Sequence, residues 1–403
     1  MATVKPFRAW RPDSEFIFDI ASVPYDVINT AEARSMAKGN PLSFLHVIRP
    51  EIDLSEETDI YSEEVYQKGK ENLEHLLASG KMIQEDQNTL FIYRLSWQGS
   101  SQTGIFGCVS VDEYDSNIIL KHELTRPDKE DDRTKHLLTM QAHPEPVMFT
   151  FNDDERNVSS IIEDECETEP LYDFTADDGV QHTIWKASNA ERLSQAFQNV
   201  PVLYVADGHH RCASASRAAH IMRKKNPDSN KQQEYDFFPA VLFPKHEMNI
   251  LAYNRIIYKI PSDFKARLAE NFSITENAHP VPTKKGGLSI YLDGSWFGIT
   301  LPETERNTVA DHLDVARLQE FLLEPLLGIT DPRKDKNIHF VGGIRGTDEL
   351  ERLIDSREAE LGISMYPTSI KELMAVSDAG LLMPPKSTWF EPKLRSGLLI
   401  HTF

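Results

Sequence analysis

The stretch VLYVADGHHRCASASRAAH, residues 202–220, constrains the fold more than any other part of the chain. An apolar, β-branched run ends at Ala206, then Asp207, Gly208, His209, His210 and Arg211 follow, then a run of small helix formers. The first part has strand character, the last part helix character, and glycine between them permits a tight turn. A strand that feeds straight into a helix predicts a mixed α/β (α+β) protein, not an all-helical bundle or a β-sandwich. The turn also has a chemical reading. A helix starting there presents free N–H groups and a partial positive charge, which suits an anion. Arg211 can add a bidentate contact to a phosphate oxygen, and His209 and His210 can donate hydrogen bonds. Asp207 can cap the turn, orient a histidine or hold a cation. The same string reads equally as an ordinary capped turn, with Asp207 as N-cap and the histidines and Arg211 as solvated polar groups. A zinc site is the weaker reading, because adjacent histidines on a regular element point different ways and no HExxH or CxxC accompanies them.

With 403 residues, the chain exceeds what one hydrophobic core usually organises. Three segments are expected. Residues 1–115 form an N-terminal α/β segment, in which Thr30 caps a helix across AEARSMAK that ends at Gly39. SEEVYQKGKENLEHLLASGKM forms an amphipathic helix with Val65, Leu73, Leu76 and Leu77 on or near one face. TLFIYRLSW and TGIFGCVSV pair as a hairpin around Gln98-Gly99-Ser100-Ser101. Residues 116–260 alternate strands (PVMFTF, HTIWKA, DFFPAVLF, ILAYNRIIYKI) with helix and hold the opening stretch. Residues 261–403 form a C-terminal α/β segment. It has a hairpin turning at Asp293-Gly294, a helix over DVARLQEFLLEPLLGI that breaks near Pro325 and Gly328, and a strand, glycine turn and helix in IHFVGGIRGTDELERLI.

Acidic residues outnumber basic ones by 63 to 43, a net charge of -20, which argues against non-specific nucleic-acid binding. An anionic ligand in a local basic pocket remains compatible with this charge. Cys108, Cys166 and Cys212 are few, odd in number and form no CxxC pair, which points to a reducing, cytoplasmic setting without disulfides or structural zinc. MATVKPFRAW lacks the apolar core of a signal peptide, and no apolar run reaches membrane-spanning length, so no membrane partner is expected.

Three further stretches carry candidate chemistry. In KHELTRPDKEDDR, Glu123 follows the apolar run Ile118-Ile119-Leu120, where a carboxylate can take a proton from a substrate hydroxyl. Asp128, Asp131 and Asp132 are oxygen ligands suited to Mg²⁺; a solvated, charge-mixed helix start explains them as well. Gly342-Gly343 to Gly346 is neither GxGxxG nor a P-loop, and a structural turn is the favoured reading. In PPKSTWFEPK, Lys386, Ser387 and Thr388 can touch phosphates and Trp389 can stack on a base, although an ordered loop packed on the core accounts for them equally well.

These pieces together resemble a bacterial and archaeal family known as a domain of unknown function. ADGHHR resembles its central signature, and VPYDV its PPYDV motif with Val23 in place of the first proline. HELT with Asp132-Arg133 resembles its HE-x-T…DR stretch. LDVARLQEFLLEPLLGI and MPPKSTWFEPKLRSGL resemble its C-terminal blocks. Through the HE and DGHHR motifs that family is similar to free serine kinases of the SerK type. The resemblance implies a ParB/sulfiredoxin-like core with additional N- and C-terminal α/β segments. It implies ATP or ADP as phosphate donor, Mg²⁺, and L-serine or another small hydroxyl compound as acceptor. Glu123 would be the base, with His122 beside it, and Asp207 through Arg211 the phosphate cradle. Thr125, Asp132, Arg133, Lys386, Ser387 and Thr388 fall at positions suited to substrate or phosphate contacts. The chain departs from the minimal kinases at Asp131, in the spacing of Lys129 and in its greater length. A nucleotide-binding regulatory module of the same fold is the rival reading, since fold does not fix function. Sulfiredoxin-like redox chemistry is disfavoured, because Cys212 follows Arg211 instead of occupying the turn. Oligomeric state is left open, a homodimer being compatible with the sequence.

Overall fold

The alternating patterns of the sequence build two main sheets, one in each of two units of a mixed α/β chain. The computed structural model describes residues 1–227 and 232–403. The first unit comprises residues 1–121, 125–248 and 392–403, and the second comprises 122–124 and 249–391.

Eight strands form the sheet of the first unit: β1 (Phe91–Trp97), β2 (Ser100–Ser110), β3 (Ile119–Leu120), β4 (Val147–Phe151), β5 (Tyr172–Thr175), β6 (Gln181–Lys186), β7 (Leu203–Asp207) and β8 (Phe237–Pro244). Their order is β3-β7-β4-β8-β2-β1-β6-β5. β7 runs parallel to β3 and antiparallel to β4, and β4 runs parallel to β8. The β1–β2 turn is tighter than the sequence suggests. Only Gln98 and Gly99 form it, at φ 48° and 78°, the paired positive values that a two-residue hairpin turn demands. Ser100 and Ser101 already belong to β2.

Four helices of this unit show how local sequence sets local structure. In α1 (Thr30–Ala37) the cap is Asn29, not Thr30: its side chain accepts from the Glu32 N–H at 2.9 Å, and Glu32 accepts from the Asn29 N–H at 2.8 Å. This reciprocal box satisfies two otherwise orphaned donors, and the Thr30 hydroxyl instead donates to Glu51 at 3.1 Å. α2 (Glu63–Ala78) buries Val65, Leu73 and Leu76, with Gly69 against α3 (Pro127–Met140), where an added Cβ would stand 2.9 Å from His136 Nε2. α4 (His209–Lys225) lays Cys212, Ala215 and Ala219 into a core shared with Val147, Phe149, Val205 and Phe238. These small residues let the helix lie close to the sheet. Residues 392–403 complete the unit: Trp10 and Ile400 exchange backbone hydrogen bonds, as do Ser22 and Ser396.

The second unit carries β9 (Tyr253–Ile257), β10 (Thr275–Glu276), β11 (Gly287–Leu292), β12 (Ser295–Thr300), β13 (Ile338–Gly342) and β14 (Leu361–Met365) in the antiparallel order β10-β12-β11-β14-β9-β13. Asp293 and Gly294 turn the β11–β12 hairpin at φ 50° and 75°. The helical run after it does not break at Pro325. It passes from α5 (Asp314–Leu318) through a π-helical turn at Gln319–Leu323 into α6 (Glu324–Leu327), where Pro325 occupies the first turn. Pro325 has no N–H to offer the helical ladder, and the π-helical irregularity lies immediately before it. Gly328, at φ 72°, ends the run. Leu318, Leu322 and Leu326 pack with Ile257, Leu288 and Ile363 in the unit's core.

The three cysteines are free thiols. Among the described residues, no helix is long and apolar enough to cross a membrane.

Candidate functional site

Strand β7 ends at Asp207, Gly208 follows at φ 101° and ψ 31°, and α4 starts at His209. Two constraints fix glycine there. The backbone lies where L side chains are strained, and a Cβ would stand 3.0 Å from Val147 Cγ1 and 3.1 Å from Arg211 Nε. Gly208 is itself the N-cap residue, so Asp207 does not hold that position. The Asp207 carboxylate instead lies 3.2 Å from Arg211 Nη2 and 3.7 Å from Lys393 Nζ.

Arg211 is not the solvated charge of the plain capped-turn reading. Its side chain is only 10% exposed. Nη1 donates to the carbonyl of Pro146, Nη2 faces Asp207 and stands 3.7 Å from Asp26, and Nε has no hydrogen-bond partner. Burial alone would lower the Arg211 pKa, but the carboxylates of Asp26, Asp207 and Glu145 outweigh it and the net shift is upward. Arg211 therefore stays a cation.

The VPYDV and DR stretches arrive at the same place. Arg133 lies over the ring of Tyr25 at 4.3 Å, a cation–π contact. Asp132 is buried and accepts from Tyr66 Oη at 2.9 Å and Arg133 Nε at 3.0 Å, so it orients Arg133. Glu145 is 7% exposed and accepts from the Tyr25 N–H at 3.1 Å and Ser396 Oγ at 3.0 Å. Burial pushes its pKa up, against the opposing pull of Arg211 and Arg133. Arg133, His136, His143, Glu145 and Arg211 line a cavity of about 20 Å³, room for a single water-sized group. His136 and His143 are held neutral, their pKa values lowered by burial and then by Arg133 and His401 respectively.

His210 Nε2 accepts from the Arg126 N–H at 3.1 Å, so that nitrogen is unprotonated while the bond lasts, and the start of α4 is tied to the start of α3. His209 is buried. Thr125 donates through its hydroxyl to Glu130, and Glu130 pairs with Arg217 at 3.2 Å. Asp128, Asp131 and Asp132 each have a different partner: Asp128 meets Arg126, Asp131 meets Arg217, and Asp132 meets Tyr66 and Arg133. This triplet does not fit a shared Mg²⁺ ligand set.

The remaining expected residues belong to the second unit. His122 is buried and its carbonyl accepts from the Met383 N–H at 2.7 Å, and Glu123 beside it is half-buried. The Lys386 carbonyl accepts from Arg255 Nη2 at 3.1 Å, and its ammonium lies 5.4 Å from the centre of the Tyr253 ring. Ser387 is buried, donates to the Pro384 carbonyl at 2.6 Å and accepts at its own carbonyl from Thr368 at 2.9 Å. Thr388 follows it in the same loop. Trp389 meets Tyr253 edge-on at 5.1 Å. A Cβ at Gly342 would lie 2.7 Å from the indole and one at Gly343 2.5 Å from the Ala252 carbonyl, so close packing accounts for the glycine pair.

Sequence reasoning missed Asp26, Glu145 and Lys393. Asp26 and Lys393 stand inside VPYDV and EPKLRSG, stretches singled out without a role for these residues. Glu145 sits between two prolines in HPEPV, where nothing local marks a buried carboxylate.

A family model described as "Protein of unknown function (DUF1015)" matches residues 4–316. No curated protein matches the chain. Among solved structures, similar ones include a free serine kinase in complex with AMP, at 11% identity and TM-score 0.37, covering 71% of this chain and 86% of that one. A conserved hypothetical protein from Pyrococcus furiosus matches at 12% identity and TM-score 0.35, covering 71% and 90%. SbnI with a C-terminal truncation, from Staphylococcus aureus, matches at 12% and 0.37, covering 72% and 85%. These likenesses assign no role to any residue of this chain.

Proposed function

The chain belongs to the DUF1015 family, and from that premise we propose that it is a nucleotide-dependent kinase of a small free hydroxyl compound, L-serine above all. The observation that carries the reading is the convergence of three separate motifs on Arg211. VPYDV supplies Asp26, the DR pair supplies Arg133 beside Tyr25, and ADGHHR supplies Arg211 at the N-terminus of a helix. Phosphoryl transfer demands mainly positioning and charge stabilisation. A permanently charged Arg211 in the first turn of a helix, where the helix dipole is positive, is the arrangement that holds phosphate oxygens.

In this reading Glu123 takes the proton of the acceptor hydroxyl. The hydroxyl oxygen bonds to the terminal phosphorus of ATP or ADP, and the bond from that phosphorus to the bridging oxygen breaks, leaving charge on the departing nucleotide. Arg211 and the start of α4 stabilise phosphate charge. The assignment of Glu123, and of His122 beside it, rests on the HELT match. Thr125, Lys386, Ser387 and Thr388 are proposed as substrate or phosphate contacts on the same ground. Because Asp128, Asp131 and Asp132 have separate partners, no step is routed through Mg²⁺ held by them.

One observation favours a nucleotide-binding regulatory module as the second reading. Asp26 and Asp207 already compensate Arg211, so nucleotide has to compete with resident carboxylates, as in a switch. Purified protein with Mg²⁺, ATP or ADP and a panel of hydroxyl compounds including L-serine, read by mass spectrometry, separates the two. Phosphoserine that disappears in Glu123→Gln and Arg211→Ala supports the kinase. Nucleotide binding without any phosphorylated product supports the module, and no nucleotide binding overturns both.

A further inference from the structure

The second unit contains a cavity of about 340 Å³ that the kinase reading does not use. Its size is within the range of small-molecule sites. Two stretches singled out in the sequence line it: the DVARLQEF helix supplies Val315, Ala316 and Gln319, and the MPPK loop supplies Met383, Pro384 and Pro385. Gln319 opens the π-helical turn. Such turns are inserted irregularities that recur at functional sites.

At the wall of this cavity is Arg255, on strand β9, 1% exposed and among the largest fully buried side chains of the protein. Buried arginines ordinarily pair with carboxylates. Arg255 does not. Its Nη1 donates to the Tyr253 carbonyl and its Nη2 to the Lys386 carbonyl at 3.1 Å, its guanidinium lies 5.5 Å from the centre of the Phe340 ring, and its Nε has no partner. Burial lowers its pKa to about 10, with only Tyr253 opposing, which still leaves it charged at neutral pH. The other cation of the cavity, Arg306, is exposed and already faces Asp311 at 3.9 Å and Glu320 at 3.5 Å. One buried positive charge therefore stands uncompensated. On the same wall Gln319 donates its amide to the Ile329 carbonyl at 2.7 Å while its Oε1 has no partner. Leu323, Val315 and Phe340 supply apolar surface.

We infer that this cavity binds a small organic monocarboxylate. Arg255 supplies the compensating charge, Gln319 Oε1 accepts from a hydroxyl or amine of the ligand, and an apolar stem packs on Val315, Leu323 and Phe340. A single uncompensated guanidinium matches one negative charge. A phosphate dianion would exceed it.

The test is calorimetric titration of the full chain without nucleotide, so its outcome is independent of the kinase reading. The probe is 3-phenyllactate. Controls are 3-phenyllactamide, which lacks the charge, 3-phenylpropionate, which lacks the hydroxyl, and inorganic phosphate. The expected result is a Kd for 3-phenyllactate below about 1 mM, weaker binding of the propionate, and none of the amide or phosphate. Arg255→Gln and Ala316→Trp, the latter filling the cavity from its wall, are each expected to weaken binding at least about tenfold. If Arg255→Gln fails to fold by circular dichroism, Ala316→Trp decides. Binding unchanged in the folded variants, equal binding of the amide, preference for phosphate, or no heat from the probe at about 10 mM overturns the inference.

Discussion

Lowering the pH from 7 to 5 should destabilise the first unit through His182, which lies on β6 and is fully buried. Its Nδ1 is 2.8 Å from Tyr93 Oη, and its Nε2 accepts from Arg395 Nε at 3.2 Å. Arg395 in turn pairs with Asp178. A proton on Nε2 would remove that acceptor and set a second positive charge against the guanidinium. Burial first, and Arg395 second, push the His182 pKa down to about 3. In the unfolded chain it returns to about 6.5. Between these values the unfolded state binds a proton that the native state does not. The stabilisation is therefore complete above about 6.5 and is lost progressively as pH falls toward about 3, at about 1.4 kcal/mol per unit. At pH 5 the loss from this one ring is about 2 kcal/mol, a sizeable share of ordinary domain stability. His136 and His143 shift in the same direction and steepen the dependence, while Glu145, shifted upward, opposes it. Urea midpoints and slopes measured from pH 7 to pH 5 give the dependence of stability on pH. His182→Gln lowers absolute stability, but the decisive quantity is the slope, which below about pH 6.5 should fall by about 1.4 kcal/mol per pH unit relative to wild type. An unchanged slope in the variant would refute the assignment of a neutral native His182.

Gly208→Ala should lose about 1–2 kcal/mol in a urea titration, from forcing an L side chain into left-handed backbone beside Val147 and Arg211. Asp132→Asn should cost about 1–3 kcal/mol by the same measurement, because it withdraws the charge that holds half-buried Arg133 and buried Tyr66. Gly342→Ala should displace Trp389, read as a change in its fluorescence maximum and a lower melting temperature; an unmoved spectrum would contradict the close packing of the indole on this glycine.

Hairpins were the most legible part of the fold. Asn, Asp and Gly turn chemistry acts over a few residues, so Asp293-Gly294 declared its hairpin and Gln98-Gly99 nearly did. The strand-to-helix turn at Gly208 was equally plain, for the same local reason. The cap of α1 was misread by one residue because Asn29 and Thr30 are both competent caps, and only the return bond from Glu32 selects between them. Pro325 suggested a break, but the run continues through it with a π-helical turn just before, and the sequence pattern does not mark where that turn lies. The site was half legible. ADGHHR, DR and VPYDV stood out, yet Glu145 became visible only through partners at Tyr25 and Ser396, far away in sequence. Pairing across such distances leaves no periodic trace in the chain.

Residues 392–403 rejoin the first unit after the whole of residues 249–391 has intervened. On a ribosome, where domains tend to complete in the order they emerge, the first unit has all eight strands of its sheet early but must wait for its closing segment. Until that segment appears, Asp207 lacks Lys393 and Glu145 lacks the Ser396 hydroxyl. Assembly of the Arg211 surroundings is thus deferred until residues 392–403 have been made, and a nascent chain halted before residue 392 would carry a first unit with its charge network incomplete.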